Sequence, residues 1–393
     1  MDLPWPREAG SLYVMRIAVV VKDFRAQRGG VERFAHQFVS QATKRGHELV
    51  VLAHRWNQEE GKRFSLHKVF TIESPSLAKL ISFPLFARHS LEDLGPFDVV
   101  FGLTPLFSLD VYRIGEGIHR EVLVRRYHTT LSRSWKRWGL KSQYQLWMEK
   151  RMFSLQSLQK IITISEASRR QLLTYYPVPE EKAITIYNGV DLGRFNPSVR
   201  ERYRAEARQE WGIGEKEMAV LFVGNDFRRK GLMSLLMALS VLQERGMKMR
   251  GLIVGRDSPG PFARACEKLG IGKQIIFLGG MERVEKAYAG ADLLVLPTHY
   301  DPFGFSCLEA LACGLPVVTT RFAGAAEVIE EGSAGRVIPS PEPALIADAM
   351  GCIYKEGSWG EVNAEAWRIA QFLSLDKNTD AILSLFAQLR GTS

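Results

Sequence analysis

Two short stretches hold side chains that could act together on a charged, hydroxyl-rich ligand. In Val223-Gly224-Asn225-Asp226-Phe227-Arg228-Arg229-Lys230-Gly231, glycines bracket three consecutive cations. Set against a sheet edge, such cations repel one another unless an anion lies between them. A diphosphate suits them: Lys as a point charge, Arg as a fork, backbone amides behind. A solvated basic turn accounts for the same residues. The second stretch runs from Pro297 to Val318. A loop carries Asp301, a helix begins at Gly304, and Glu309 lies about one and a half turns inside it. The amides of Phe303, Gly304 and Phe305 at the helix start lie between the two carboxylates. One carboxylate ahead of a helix and one in its body can hold hydroxyls at two points of an extended polyol. The plainer alternatives are a helix-terminal charge for Asp301 and an exposed position for Glu309. Its neighbours Leu308, Ala310 and Leu311 place Glu309 among buried positions instead.

A third loop, Arg28-Gly29-Gly30-Val31, follows the first apolar run and opens a helix. Paired glycines there let backbone N–H groups approach an anion, although a tight strand-to-helix turn needs them too.

These loops need a scaffold, and the chain alternates short apolar strands with amphipathic helices, the pattern of a parallel α/β sheet. In the first half, 17–21 reads as a strand, 31–44 as a helix with Phe34, Phe38 and Val39 on one face, and 48–53 and 98–102 as strands. A strand at 161–165, a helix at 166–175 and a strand at 184–187 follow. The turn-rich stretch 188–197 reads as a linker. The alternation then restarts: strands at 220–223, 251–254, 275–278, 293–297 and 316–319, helices at 231–245, 262–269, 284–289 and 304–312, and a helical tail from Pro343. Two doubly wound domains facing across a cleft are expected, with ligands at the carboxyl ends of the strands.

Length and composition agree. The chain has 393 residues, 46% hydrophobic and 24% charged, enough for two or three domains of about 150 residues. Extensive disorder is excluded. Net charge is +9, and its placement is uneven. Residues 113–151 hold ten Lys and Arg against three Glu, whereas residues 152–393 balance at 28 of each sign. The basicity therefore belongs to one segment, which also carries Tyr127, Trp135, Trp138, Tyr144 and Trp147. Cations with interfacial aromatics suit an anionic membrane surface or a phosphorylated glycolipid. Nucleic-acid binding would show the same composition, and so would a solvated helix pair with its aromatics turned inward. The four cysteines, Cys266, Cys307, Cys313 and Cys352, have neither metal-site nor disulfide-framework spacing and read as reduced core or near-core thiols of a cytosolic protein. No apolar run reaches the length of a membrane span. Residues 1–14 read as a disordered tail, with Met15 an alternative start.

The linker Asn188-Gly189-Val190-Asp191, the loop Gly224…Arg229-Lys230-Gly231, and Asp301-Pro302-Phe303-Gly304…Glu309-Ala310…Gly314-Leu315-Pro316-Val317 stand in an order and near a spacing that resembles the retaining GT-B glycosyltransferases of family 4. The likeness spans nearly the whole chain from Met15. Within the family, Leu109-Asp110-Val111-Tyr112, the Asp226-Phe227…Arg229-Lys230-Gly231 loop and the basic insertion before Ile161 resemble the bacterial lipopolysaccharide core glucosyltransferases of type I. The resemblance implies an acceptor-binding domain over 15–190, a donor-binding domain over 191–371 and a C-terminal helix, 372–393, returning to the first. It implies transfer of a hexose, glucose from UDP-glucose, to a lipopolysaccharide core or related glycolipid. A soluble or other polysaccharide acceptor on the same fold is the alternative, and a non-catalytic nucleotide-sugar or nucleic-acid binder is a further one.

Residue by residue, the resemblance implies that Arg229 and Lys230, with Arg228, hold the donor diphosphate and stabilise the leaving group. Glu309 would take the ribose hydroxyls. Asp301 and the amides of Phe303, Gly304 and Phe305 would take the transferred hexose. Gly29 and Gly30 would approach the phosphate, and Gly255, Arg256 and Met281 would border the base. No metal is implied, because the leaving phosphate itself accepts the acceptor's proton and the protein's work is electrostatic. In Gly115-Glu116-Gly117-Ile118-His119, His119 is a candidate to hydrogen-bond sugar or acceptor and Glu116 to orient the acceptor. A surface turn with a capping Glu and a satisfied His is the alternative. Arg120, Arg125, Arg126, Trp135, Lys136, Arg137 and Trp138 would meet the acceptor or the membrane. The expected setting is a monomer bound peripherally to the cytoplasmic face of the inner membrane. A polynucleotide is not expected as partner, since the carboxylate pair and Lys230 do nothing for one. Two positions depart from the family pattern. The family usually carries Glu where this chain has Asp301, one methylene shorter, and many members carry Arg where this chain has Asn225.

Overall fold

The computed structural model describes residues 14–126, 139–330, 334–357 and 363–391. The expected tail, Val14 apart, lies outside them. The chain divides into two compact units, residues 1–187 with 375–393, and residues 188–374. The linker goes with the second unit, where Val190 N donates to Leu373 O at 2.9 Å. The division therefore falls a few residues from the boundaries expected at 190 and 371.

The first unit is a seven-stranded sheet in the order β3-β2-β1-β4-β5-β6-β7. Its strands are β1 (Arg16–Val20), β2 (Glu48–Ala53), β3 (Leu66–Lys68), β4 (Val99–Gly102), β5 (Val111–Ile114), β6 (Lys160–Thr163) and β7 (Ala183–Thr185). Every pairing is parallel. The helices are α1 (Gly30–Lys44), α2 (Gln58–Arg63), α3 (Ser76–Leu94), α4 (His119–Arg126), α5 (Leu140–Phe153) and α6 (Glu166–Tyr175). The face of α1 that repeats every three to four residues is buried: Phe34, Ala35, Phe38, Val39 and Ala42. Phe38 packs on Phe101 of β4 with ring centroids 5.3 Å apart, and Phe101 on Phe386 at 5.2 Å. Each such fully buried ring contributes about 1.5–3 kcal/mol. Phe386 belongs to the chain's last helix, which Arg45 ties down through ion pairs to Asp376 and Asp380.

The second unit is a six-stranded parallel sheet in the order β10-β9-β8-β11-β12-β13. Its strands are β8 (Met218–Val223), β9 (Met249–Val254), β10 (Ile275–Gly279), β11 (Leu293–Leu296), β12 (Val317–Thr320) and β13 (Gly335–Ile338). Its helices are α7 (Ser198–Glu210), α8 (Leu232–Glu244), α9 (Gly260–Lys268), α10 (Glu285–Gly290), α11 (Phe305–Ala312), α12 (Ala326–Glu330), α13 (Pro343–Glu356) and α14 (Ala364–Phe372). The helix that joins the first unit is α15 (Leu375–Gly391). The central strands β8 and β11 are covered on both faces, so they read as continuous apolar runs rather than alternating ones.

Several elements escape the sequence pattern, the short helices α2, α4 and α12 and the longer α5 among them. The helices α3 and α7 are too polar or too irregular to show a clean apolar stripe: α3 carries Pro84, and α7 faces its sheet with arginines. Arg204 and Arg208 pair with the buried Asp292 at 2.5 and 3.0 Å, and Arg200 donates to Ala291 O. The strands β3, β5 and β13 are only three or four residues long. Of the four cysteines, Cys266, Cys307 and Cys313 are buried, but Cys352 is exposed, against the expectation of near-core thiols. No described helix is long and apolar enough to cross a membrane.

Both sheets are doubly wound, and each has one place where chain order reverses: between β1 and β4, and between β8 and β11. Ligands on such sheets sit at the carboxyl ends of the strands there. The loop 224–231 leaves β8 and the loop 297–304 leaves β11, so the reversal sets the two chemical stretches side by side.

Candidate active site

Two left-handed glycines frame the site of the second unit. Gly231, at φ 80°, leads into α8, and Gly304, at φ 94°, leads into α11. A Cβ on Gly231 would strike the Pro297 carbonyl oxygen at the end of β11. The loops therefore touch backbone to backbone, which only glycine permits. Gly231→Ala is expected to cost about 2–3 kcal/mol, from the left-handed backbone and the displaced Pro297 together. Urea unfolding measures it; unchanged stability would show that the loops do not depend on this approach.

The cations and Asp301 meet. Lys230 Nζ donates to Asp301 Oδ2 at 3.0 Å, and Arg229 Nη1 stands 3.9 Å from the same oxygen. Arg229 also donates from Nη1 to Tyr300 O at 2.5 Å and from Nε to Asp226 Oδ2 at 3.2 Å. The Arg229 carbonyl accepts from His299 N and Thr298 Oγ1, fastening the β8 loop to the β11 loop. The anion between the cations is thus a carboxylate of the chain itself, and the sequence argument's need for an outside anion falls away. The cation run also divides: Lys230 and Arg229 turn to Asp301, while Arg228 is exposed.

Lys230 and Asp301 are nearly inaccessible, their side chains 13% and 12% exposed. Burial alone would raise the Asp301 pKa. The charges of Lys230 and Arg229 and the hydrogen bonds from Lys230 and Phe303 outweigh it and hold the carboxyl below its ordinary value. The Phe303 amide, expected free, donates to Asp301 Oδ1 at 3.2 Å. Behind Asp301 the segment after β12 closes the loop: Asp301 N donates to Phe322 O and Gly324 N to Asp301 O, both at 3.0 Å.

The helix α11 starts at Phe305, one residue later than expected, with Gly304 as its cap. Glu309 is buried at 4% exposure, so the exposed alternative does not hold. Tyr288 Oη donates to Glu309 Oε2 at 2.6 Å. Cys307 is buried nearby, its thiol pushed up to about 12 by burial and then by the Asp301 charge. Ser306 Oγ is buried with no hydrogen-bond partner among the described residues. Gly255 and Arg256 follow β9. Arg256 N donates to Asn225 Oδ1 at 2.9 Å, Phe227 N to Asp257 Oδ2 at 3.0 Å, and the Arg256 side chain passes over Gly280. Met281 is half-buried next in the chain. Asn225, the departure from the family pattern, thus serves as a fastening between two loops.

Sequence reasoning missed Tyr288, Asp226, Asp257, Thr298 and the 320–325 segment. A lone Tyr in Ala287-Tyr288-Ala289-Gly290 was a usable signal, since a phenol among small buried residues needs a partner. Asp226 was another: it is the one non-glycine residue described with positive φ, at 58°, in a loop that already holds three cations.

In the first unit, Gly29 caps α1 with extended backbone (φ −165°) that any residue could adopt, and Gly30 begins the helix. Glu32, in its first turn, has its pKa raised by burial and then by the charges of Glu116 and Asp23. The glycine loop and the exposed Glu116 therefore face one region. His119 N donates to Glu149 Oε1 at 2.6 Å. Its ring pKa is lowered by burial and by Lys141, and its Nε2 is buried without a hydrogen-bond partner among the described residues.

The basic segment is only partly seen. Trp135, Lys136, Arg137 and Trp138 lie outside the described residues, as do Tyr127 and the side chain of Arg126. Arg120 stacks on the Tyr175 ring at 4.9 Å, and Arg125 pairs with the buried Glu121 at 2.7 Å. Both contacts are made within the unit, while Arg120 stays exposed and the Arg125 side chain is 38% exposed. Trp147 is exposed and packs edge-on against Phe107.

Two doubly wound parallel sheets with these strand-end loops make up the GT-B glycosyltransferase fold. The crystal structure of WaaG, a glycosyltransferase involved in lipopolysaccharide biosynthesis, matches at a TM-score of 0.78 over 93% of this chain and 99% of its own, at 24% identity. Sucrose-phosphate synthase from Thermosynechococcus elongatus matches at 0.78 over 96% of this chain and 100% of its own, at 17% identity. Anabaena HepE in complex with UDP and glucose matches at 0.71 over 95% and 100%, at 19% identity.

The family model for glycosyl transferases group 1 matches residues 203–365, and that for glycosyltransferase family 4 matches residues 28–194. The chain belongs to this glycosyltransferase family. The lipopolysaccharide glucosyltransferase WaaG of Escherichia coli K12 is 28% identical over 80% of this chain and 82% of its own length. The D-inositol 3-phosphate glycosyltransferase of Actinosynnema mirum is 28% identical, but over 59% of this chain and 58% of its own length.

Proposed function

We propose that this glycosyltransferase moves glucose from UDP-glucose, with retention of configuration, onto a lipopolysaccharide core or related glycolipid. In this reading it works as a monomer without a metal ion, held peripherally at the cytoplasmic face of the inner membrane. The observation that carries the donor half is the convergence of Arg229, Lys230 and Asp301 at the β8–β11 reversal. The likeness to E. coli WaaG over most of both chains supports the acceptor half.

The chemistry follows from the charges. As the sugar–phosphate bond breaks, negative charge grows on the diphosphate. Lys230 and Arg229 are cations already desolvated and fixed, so they stabilise that charge without reorganising. Asp301 keeps them in place meanwhile. When a sugar and a phosphate arrive, hydroxyls take the carboxylate and phosphate oxygens take the ammonium. Glu309, held by Tyr288, accepts from a vicinal diol such as ribose.

A thermal-shift panel of nucleotide sugars tests the reading. UDP-glucose at about a hundred times its Kd is expected to stabilise the protein by about 2.7 kcal/mol. No stabilisation by any nucleotide sugar would remove it. Transfer is expected to continue in a chelator; loss restored by a divalent cation would contradict the metal-free mechanism. A soluble acceptor, favoured by the partial likeness to D-inositol 3-phosphate glycosyltransferases, would leave the protein unbound to anionic vesicles.

A further inference from the structure

A half-buried lysine with no carboxylate of its own stands in the first unit. Lys22 comes two residues after β1, at the carboxyl edge of the strand beside which the sheet reverses. Among the described residues it forms no ion pair, and its Nζ donates only to the Lys79 carbonyl, at 3.4 Å. Its pKa is lowered to about 8, first by burial and then by the charges of Lys79 and Lys141, with Arg55 adding to them and Glu73 opposing.

The groups around it come from beyond two neighbouring strands. His54 and Arg55 follow β2; Glu73 and Lys79 lie beyond β3, where α3 begins. Glu73 accepts from His54 Nε2 at 2.6 Å, Arg55 Nη2 at 2.5 Å and Lys79 Nζ at 2.7 Å. That network fixes the start of α3 and explains His54, Arg55 and Lys79. It does not explain Lys22, whose burial and repulsion are offset only by a long hydrogen bond to the Lys79 carbonyl and by the charge of Glu73, which three other groups already share. Three side-chain cations, Lys22, Arg55 and Lys79, face a single carboxylate, with Lys141 close enough to add to the field. An added anion would relieve such an arrangement.

We propose that Lys22, with Lys79 and Arg55, binds a phosphate group carried by the acceptor. The site lies at the strand ends of the first unit, whereas the Arg229–Lys230 loop lies in the second. This rests on the reading of the first unit as the acceptor domain.

The test titrates inorganic phosphate into the full chain at saturating UDP, for wild type, Lys22→Met and Lys22→Arg, following thermal stability. Without phosphate, Lys22→Met is expected to be at least as stable as wild type, because it removes a charge that burial and like charges penalise. With phosphate, its apparent affinity is expected to fall about tenfold, while Lys22→Arg retains binding. These opposite signs separate a ligand site from a structural lysine. Equal phosphate stabilisation of wild type and Lys22→Met, or none in wild type, overturns the proposal. UDP stabilisation, read separately, reports a failure of the donor reading without touching the phosphate arm. Two further arms identify the source. A rise in KM confined to lipopolysaccharide core acceptor that has not been treated with phosphatase supports an acceptor phosphate. Weaker sedimentation of Lys22→Met with phosphatidylglycerol vesicles, with KM unchanged, would overturn the acceptor assignment in favour of a lipid headgroup.

Discussion

Lys230→Ala is expected to lower kcat/KM by about 10²–10³-fold, the loss typical of removing one preorganised donor from growing oxyanion charge. The fall should appear in kcat, since the charge it meets is greatest at the transition state. The fold should survive, because Arg229 remains 3.9 Å from Asp301. A thermodynamic mark should accompany the kinetic one. The Asp301 carboxyl is held below its ordinary value in the folded protein. Its contribution to stability is therefore present above the unfolded carboxylate range and lost as pH falls through the lower folded pKa. Without Lys230 that folded pKa rises, and acid unfolding should begin at higher pH than in wild type. Wild-type turnover in Lys230→Ala would end the phosphate-clamp assignment; an unchanged acid limb would end the Lys230–Asp301 coupling.

The second large effect is expected at Glu309. Glu309→Gln keeps the size and an oxygen for the Tyr288 hydroxyl but removes the charge. Charge-assisted hydrogen bonds are worth about 1.5–3 kcal/mol, so donor KM should rise about 10–10²-fold with a smaller change in kcat. Glu309→Ala should do more, since it also leaves the buried Tyr288 hydroxyl without its 2.6 Å acceptor. Tyr288→Phe should fall between wild type and Glu309→Gln, because the carboxylate stays but loses its orienting donor. Steady-state kinetics with varied donor separates these cases. An unaltered donor KM in Glu309→Gln would place the ribose elsewhere.

What could be read without coordinates follows a physical line. The strands flanking the site are buried on both faces and so announce themselves as apolar runs. The loops that leave them carry glycines and charges in an order that survives as a one-dimensional signal. The burial of Glu309 was legible from Leu308, Ala310 and Leu311. Elements whose stability comes from tertiary partners were not. The helix α7 presents arginines to its sheet because Asp292 and the last carbonyls of α10 receive them, and nothing local says so. The partnership of Lys230 with Asp301 was invisible for a similar reason: 71 residues separate the two, and only the β8–β11 pairing brings them together. The role of Asn225 as a fastening to Arg256 likewise depends on a contact between loops that periodicity does not encode, whereas the Glu121–Arg125 pair stands at i,i+4 on α4 and was within reach of helical spacing.

The central claim is that a nucleotide sugar reacts on one face here, its departing diphosphate stabilised by Lys230 and Arg229. The anomeric configuration of the product, read by NMR from the coupling of the transferred sugar's anomeric proton, tests it most directly. UDP-glucose carries an α linkage, and the account predicts an α-linked glucosyl product from wild type and a greatly reduced yield of the same anomer from Lys230→Ala. A β-linked product, or undiminished transfer in the variant, would contradict it.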